Sequence, residues 1–194
     1  MSHAAASAYE NIGIENRKLG MWLFLSSEVM FFTGLIGAYI VIREATGQWP
    51  VPSSILNIPL TAFNTFLLIC SSATLVKGLA AAQDGDQEGM QVSLFLTVLL
   101  GALFLVIQAH EYHELIHVKH FTPSSSIFGA CFFTMTGFHG MHVLVGVLCL
   151  LSVFIKSLRG GYSSSEYRGI EVTGLYWHFV DLVWIILFTI VYLI

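Results

Sequence analysis

The sequence predicts an all-α integral membrane protein, a five-transmembrane-helix bundle, and three observations support that fold class. Hydrophobic residues make up 56% of the 194 residues and charged residues only 10%, whereas a soluble domain carries about 25% charged residues. The mean hydropathy of the chain is +0.77. Five apolar runs approach or exceed the about 20 residues that a membrane-spanning helix needs. Because backbone groups in lipid must be satisfied within their own segment, these runs are helices and not strands.

The five predicted spans follow one another along the chain, and each is bounded by residues that interrupt helices. They cover residues 19–42, 58–76, 92–109, 127–155 and 173–194. The linkers contain Trp49-Pro50-Val51-Pro52, Asp84-Gly85-Asp86, Thr122-Pro123 and Arg159-Gly160-Gly161. A polar cytoplasmic tail, residues 1–18, has no apolar stretch typical of a signal peptide and precedes a single membrane domain, residues 19–194.

The placement of lysine and arginine predicts the orientation of these spans. With a cytoplasmic N-terminus, the outer side carries only Arg43 and Lys119. The inner side then carries the other six cations, namely Arg17, Lys18, Lys77, Lys156, Arg159 and Arg168. Since cytoplasmic loops are enriched in positive residues, we expect the N-terminus inside and the C-terminus outside.

Five titratable side chains fall near the middle of predicted spans, namely Glu28, His139, His142, His178 and Asp181. An aspartate at the bilayer centre costs roughly 2.5–3.5 kcal/mol, so such groups normally have a partner or a task. The two histidine-containing pairs have i,i+3 spacing, and each pair therefore shares a helix face. We expect one interior hydrogen-bonded cluster, which is a structural network, a proton relay, or a haem or metal site.

A second group of polar residues lies at the end of the third span. His113-Glu114-Leu115-Ile116-His117 is a formal H-E-x-x-H sequence, which on a helix places two histidines on one face for zinc and a glutamate as general base. No third ligand at suitable spacing is evident, although His120 or a distant acid is a candidate. A membrane zinc protease is therefore an alternative hypothesis.

Other classes of function receive no support from the composition. The net charge is −4 and no basic stripe suggests nucleic acid. The three cysteines, Cys70, Cys131 and Cys149, lie in apolar runs without a C-x-x-C pair, which is typical of buried small hydrophobes.

Four sequence segments together carry a resemblance to a known family. They are Leu19-Gly20-Met21-Trp22 with Ser27-Glu28-Val29-Met30-Phe31-Phe32-Thr33-Gly34, Gln108-Ala109-His110-Glu111-Tyr112, Thr136-Gly137-Phe138-His139-Gly140-Met141-His142-Val143 with Gly146, and Tyr176-Trp177-His178-Phe179-Val180-Asp181-Leu182-Val183-Trp184. In this order they closely resemble subunit III of the haem-copper oxygen reductases, the cytochrome c oxidase type in particular.

The resemblance implies a non-catalytic subunit of a proton-translocating terminal oxidase that reduces oxygen to water. It implies that the haems and copper belong to partner subunits, that the chain itself holds no redox centre, cofactor or metal, and that it packs against subunit I beside subunit II. It further implies bound phospholipid and a role in oxygen access and proton uptake. The chain resembles a short five-helix bacterial form without the first two helices of the longest members, and we expect it in a bacterial plasma membrane.

The resemblance also assigns the polar residues. Glu28 matches the family's buried carboxylate, and His139, His142, His178 and Asp181 match its interior polar positions. Gln108, Glu111 and Tyr112 match a motif at the membrane edge, so the H-E-x-x-H sequence is interpreted as accidental. Two rivals remain open: a related subunit that accompanies nitric oxide reductases, and an independent proton channel.

Overall fold

The computed structural model describes residues 16–47, 49–164 and 166–194 and contains five long helices. They are α1 (Asn16–Ala45), α2 (Ile58–Asp84), α3 (Gln87–His113), α4 (Ile127–Leu158) and α5 (Arg168–Phe188). π-Helical turns extend α3 over Glu114–Val118 and α5 over Thr189–Leu193, and a 3-10 turn covers Pro52–Ser54. All five helices are long and apolar enough to cross a membrane, which confirms the predicted fold class.

The first residues of α2 and α4 coincide with the predicted starts at residues 58 and 127, because capping residues fix them. The Asn57 side chain accepts a hydrogen bond from the backbone N–H of Leu60. The Ser126 hydroxyl accepts one from the backbone N–H of Gly129. Each cap satisfies one of the backbone donors that the first turn of a helix leaves without a partner.

The helices α2 and α3 are longer than the predicted spans 58–76 and 92–109, and this is a correction. Residues 77–84 contain three alanines and extend α2 beyond the apolar run, since alanine is the strongest helix former. Gly85 ends α2 with a left-handed φ of 79°, and the Asp86 side chain caps α3. Two residues therefore connect two helices of 27 residues each.

Four helices form a closed bundle and the fifth lies outside it. Helix α2 packs against α3 and α5, and α4 also packs against α3 and α5. Helix α1 rests on α4 and α5. Its buried residues, Leu25, Phe32 and Tyr39, are seven positions apart and form a single stripe. At the N-terminal end of α1, Lys18 forms an ion pair with Glu171 of α5.

Apolar side chains cover the outside of the bundle as well as its core. Leu23, Met30 and Val41 on α1 are among many large hydrophobic residues that are more than half exposed. Such a surface is the expected one for a protein whose surrounding solvent is lipid. The core of the four-helix bundle contains the fully buried Trp177 and Trp184 of α5.

Candidate functional site

The outer helix α1 is tied to the bundle by a pair of titratable side chains. Nε2 of His142 on α4 lies 3.0 Å from Oε2 of Glu28 on α1. Nδ1 of the same ring lies 2.7 Å from the backbone carbonyl of Phe138. A carbonyl oxygen only accepts, so Nδ1 carries a hydrogen. The bond to Glu28 therefore contains one proton, which either the imidazole or the carboxyl group supplies.

Aromatic groups surround this pair. The rings of Phe31 and Phe32 pack against the His142 imidazole, with centroid separations of 6.2 and 5.1 Å. The Tyr176 hydroxyl donates to the backbone carbonyl of His142 (3.0 Å). The Glu28–His142 pair is consequently held in an apolar wall, with only a small part of either side chain exposed.

His139 is separated from that pair and belongs to the core of the bundle. Its ring is fully buried and stacks on the Trp184 indole at a centroid distance of 4.7 Å. Its Nε2 lies 3.1 Å from the backbone carbonyl of Val180 and donates to it. His139 thus connects α4 to α5, and within the described part of the chain its ring makes no hydrogen bond to a carboxylate.

Two titratable residues in the middle of α5, His178 and Asp181, lie beside Ser72 of α2. His178 Nδ1 lies 3.2 Å from the Ser72 hydroxyl, and Asp181 lies beside the same two residues with 8% of its surface exposed. Oδ1 of Asp181 is buried and has no hydrogen-bond partner among the described residues. Of the five predicted interior residues, only Glu28 and His142 hydrogen-bond each other. The expectation of one hydrogen-bonded cluster is therefore wrong, because the helices direct these side chains towards different neighbours.

Two tryptophans of α5, seven residues apart, make contacts that sequence reasoning missed. The Trp177 indole N–H donates to the Ser71 hydroxyl (3.0 Å) and that of Trp184 donates to the Thr65 hydroxyl (2.9 Å), both on α2. Trp177 also fills the space left by two glycines. A Cβ atom at Gly101 or Gly146 would approach its ring to 2.6 or 2.7 Å. The heptad spacing of the tryptophans was visible in the sequence, but their partners were not.

The membrane-edge residues Gln108, Glu111 and Tyr112 point in two directions. Gln108 Nε2 donates to the backbone carbonyl of Thr136 on α4 (3.0 Å), and the Tyr112 hydroxyl lies 2.6 Å from the Thr136 hydroxyl. Glu111 instead faces α2 and the last turn of α5. There its carboxyl group contacts Thr61 of α2 and Tyr192 of the last turn of α5.

The H-E-x-x-H segment lies at the junction of α3 with its π-helical turn. The rings of His113 and His117 lie with centroids 4.6 Å apart. Glu114, the presumed general base of a protease, instead forms an ion pair with Lys119 at 3.6 Å. Among the described residues, no three His, Cys, Asp or Glu side chains are grouped as a metal site would require. The protease hypothesis therefore lacks a third zinc ligand among the residues that the structure describes.

Two grooves open on the lipid-facing side of the helices. One lies between α1 and α5, has a volume of about 320 Å³ and is almost entirely apolar, with His178 and Ser26 as its polar residues. The other, about 350 Å³, lies between α3 and α4 over Gly137 and Gly140, with Gln108 and Tyr112 in its wall. Both have the apolar lining that hydrocarbon chains require.

Together these features define a class of protein: a multi-pass helical membrane protein whose buried polar side chains join its helices to one another. Comparison with known proteins gives the family. The family model described as cytochrome c oxidase subunit III matches residues 4–194. The chain belongs to the cytochrome c oxidase subunit III family. As a member of this family, it is part of an oxidase complex.

Relatives named cytochrome c oxidase subunit 3 cover nearly the whole chain. The one from Thermostichus vulcanus is 39% identical over 178 residues, which cover 91% of this chain and 87% of the relative. The one from Bacillus sp. (strain PS3) is 37% identical over 180 residues, which cover 92% and 86%. The one from Loxodonta africana is also 37% identical, over 187 residues that cover 92% of this chain and 69% of the relative.

Proposed function

We propose that this chain is a non-catalytic core subunit of a bacterial terminal oxidase that reduces oxygen to water and translocates protons. The observation that carries this proposal is the use of the interior histidines. His139 is bound to a backbone carbonyl of α5, and His142 is bound to Glu28 of α1. Both rings hold helices together, which is the role of a supporting subunit, and the haems and copper then belong to partner subunits.

The proposal includes direct packing against subunit I, with subunit II in the same complex, in the plasma membrane with the N-terminus inside. The positive charges on one side of the bundle support this orientation. Helix α1 buries only one stripe of residues within the described part of the chain. Its remaining hydrophobic surface is a broad face for a partner helix or lipid.

Phospholipid binding and oxygen access are assigned to the groove between α1 and α5. Its lining of Trp22, Leu25, Val29, Phe179 and Leu182 is apolar and reaches the lipid-facing surface. An acyl chain fits such a lining without any polar partner, and oxygen, an apolar molecule, concentrates in the same environment. The neighbouring Glu28–His142 pair shares one proton and is the group assigned to proton handling.

A gentle-detergent purification of the tagged chain tests the proposal, with an absorbance spectrum and mass spectrometry of the same sample. We expect haem absorbance to travel with larger partner subunits and to vanish when the chain is isolated from them. The purified complex should consume oxygen. Reduction of nitric oxide instead would assign the chain to the related nitric oxide reductase complexes.

Two other results would overturn the proposal. A chain that purifies alone with its own haem, or with stoichiometric zinc that His113→Ala removes, would make the histidines ligands. Proton flux through the chain alone in liposomes, abolished by Glu28→Gln, would make it an independent channel.

A further inference from the structure

Glu111 is a buried acid to which none of the functions above gives a task. Only 5% of its surface is exposed, at the end of α3 where the helix changes to the π-helical turn. Its Oε1 lies 3.0 Å from the hydroxyl of Thr61 on α2. Its Oε2 lies 3.4 Å from the hydroxyl of Tyr192, which belongs to the last turn of α5. Three helices therefore meet at this one carboxyl group.

Among the described residues, no positive charge is in direct contact with Glu111. The closest cation in the sequence, Lys119, donates to the backbone carbonyl of Ile55 at 2.7 Å and pairs with Glu114 at 3.6 Å. The other titratable groups near Glu111 are Glu114 on the following turn, the neighbouring Tyr112, whose hydroxyl contacts Thr136, and Tyr192. Helix α2 contributes only neutral groups to this contact, Thr61 among them.

These neighbours would stabilise an ionised Glu111 carboxylate poorly. Burying a charge is costly unless it is paired or receives several hydrogen bonds. Glu111 has two hydroxyl neighbours, and the 3.4 Å distance to Tyr192 is longer than the 2.5–3.0 Å typical of an O–H···O bond. Thr61 is also shared, because its hydroxyl lies 3.0 Å from the backbone carbonyl of Asn57.

The neutral form of Glu111 gives every hydrogen of the Glu111, Thr61 and Tyr192 side-chain hydroxyl groups an acceptor. A threonine hydroxyl has one hydrogen to donate and can accept as well. If the Glu111 carboxyl group donates to Thr61, then Thr61 donates to Asn57 and Tyr192 donates to Oε2, so each of the three hydrogens has an acceptor. If Glu111 is ionised, the single Thr61 hydrogen must serve either Asn57 or Glu111.

We propose that Glu111 is a proton-binding site, in which the carboxyl group is held as the neutral acid and donates to Thr61, joining α2, α3 and the end of α5. The ligand of this site is a proton held between Glu111 and Thr61, while Tyr192 donates its own hydrogen to Oε2 of Glu111. Loss of the proton places an unpaired charge in a contact between three helices. The contact between α2, α3 and the last turn of α5 is therefore more stable when the proton is bound than when it is lost.

Infrared spectroscopy of the purified complex tests the site directly, because the C=O stretch of a carboxylic acid is separate from the carboxylate bands and shifts in heavy water. We expect such a band near neutral pH in the wild type with ¹³C-labelled glutamate, and its loss in Glu111→Gln. The matched control, Glu114→Gln, removes a partly exposed acid from the next turn and should leave the band unchanged. Identical spectra for the wild type and Glu111→Gln would overturn the proposal.

The dependence of stability on pH gives a second, independent readout. Gln at position 111 imitates the neutral acid, so this variant should keep the wild-type thermal midpoint at acidic pH. As the pH rises, the wild type should lose stability relative to Glu111→Gln, because only the wild type then acquires a buried charge. Parallel curves for the two proteins would exclude a proton-binding site. If Glu111→Gln does not assemble, Thr61→Val serves instead, since removal of the acceptor must shift the carboxylic-acid band.

Discussion

At the scale of single residues, the contact between Trp177 and two glycines leaves no room for a larger side chain at either glycine. A Cβ atom at Gly101 would lie 2.6 Å from the Trp177 ring, which is fully buried and cannot move aside. We expect Gly101→Ala to destabilise the protein by about 1–3 kcal/mol, the usual cost of overpacking a core. The thermal midpoint of the purified complex measures it.

The control for this substitution is Gly37→Ala in α1, where a Cβ atom would meet nothing within 4 Å. Alanine is favoured over glycine in a helix by about 0.5–1 kcal/mol, so this variant should be as stable as the wild type or more so. A similar loss of stability in both variants would show that the Trp177 contact does not determine the effect.

The Glu28–His142 pair leads to a prediction about activity. Glu28→Gln preserves a side chain that can hydrogen-bond His142 but removes the acid that shares its proton. We expect the initial rate of oxygen consumption to stay within about twofold of the wild type, less than ~0.5 kcal/mol of activation free energy. The number of turnovers before inactivation should change.

Ser27→Ala is the matched control, because the Ser27 hydroxyl donates to the backbone carbonyl of Phe24 in its own helix and hydrogen-bonds no other described residue. It should change neither the initial rate nor the durability. Complete and immediate loss of activity in Glu28→Gln would show that this carboxyl group takes part in the reaction path itself.

At the scale of helices, a narrow stripe of contacts holds α1 against the rest of the bundle. Phe32 is buried in that stripe, whereas Met30 is 76% exposed on the opposite face. We expect Phe32→Ala to lower the stability of the complex by about 1–3 kcal/mol, within the common range for single substitutions. Lipid provides no hydrophobic driving force between helices, so the loss reflects packing alone.

The measurement for this prediction is the thermal midpoint together with the amount of chain retained on the purified complex. Met30→Ala should leave both quantities unchanged if α1 meets only lipid at that position. A larger effect of Met30→Ala than of Phe32→Ala would place the main contact of α1 with a partner subunit.

At the scale of the whole molecule, the orientation in the membrane can be tested with two single cysteines. Ser124 lies in the exposed loop before α4 and Ser164 in the exposed loop before α5, on opposite ends of the bundle. An impermeant maleimide should label Ser124→Cys in intact spheroplasts and Ser164→Cys only in inside-out vesicles. The reverse pattern would contradict the N-inside orientation.

The unmodified chain is the control for this labelling experiment. Its three free cysteines lie within α2 and α4, so they should not react with a reagent confined to water. Labelling of the unmodified chain from either side would require replacement of those cysteines before the orientation is assigned.

The sequence predicted helices well and contacts between helices poorly, and the reason is physical. The apolar runs that start at residues 58 and 127 coincide with helix starts that Asn57 and Ser126 cap locally. The partners of His139 and His178, a backbone carbonyl and a serine of another helix, depend on how each helix is rotated about its axis. Spacing along one helix fixes which residues share a face but not which helix that face meets.

The position of α1 outside the bundle has a consequence for biosynthesis. It is synthesised before the other four described helices, yet its contacts are made with α4 and α5, which follow it at the greatest distance along the chain. At about 5–20 residues per second, synthesis of the 114 residues from Glu28 to His142 takes roughly 6 to 23 seconds. During this interval the newly made helix carries Glu28 without the His142 side chain that it contacts in the folded protein.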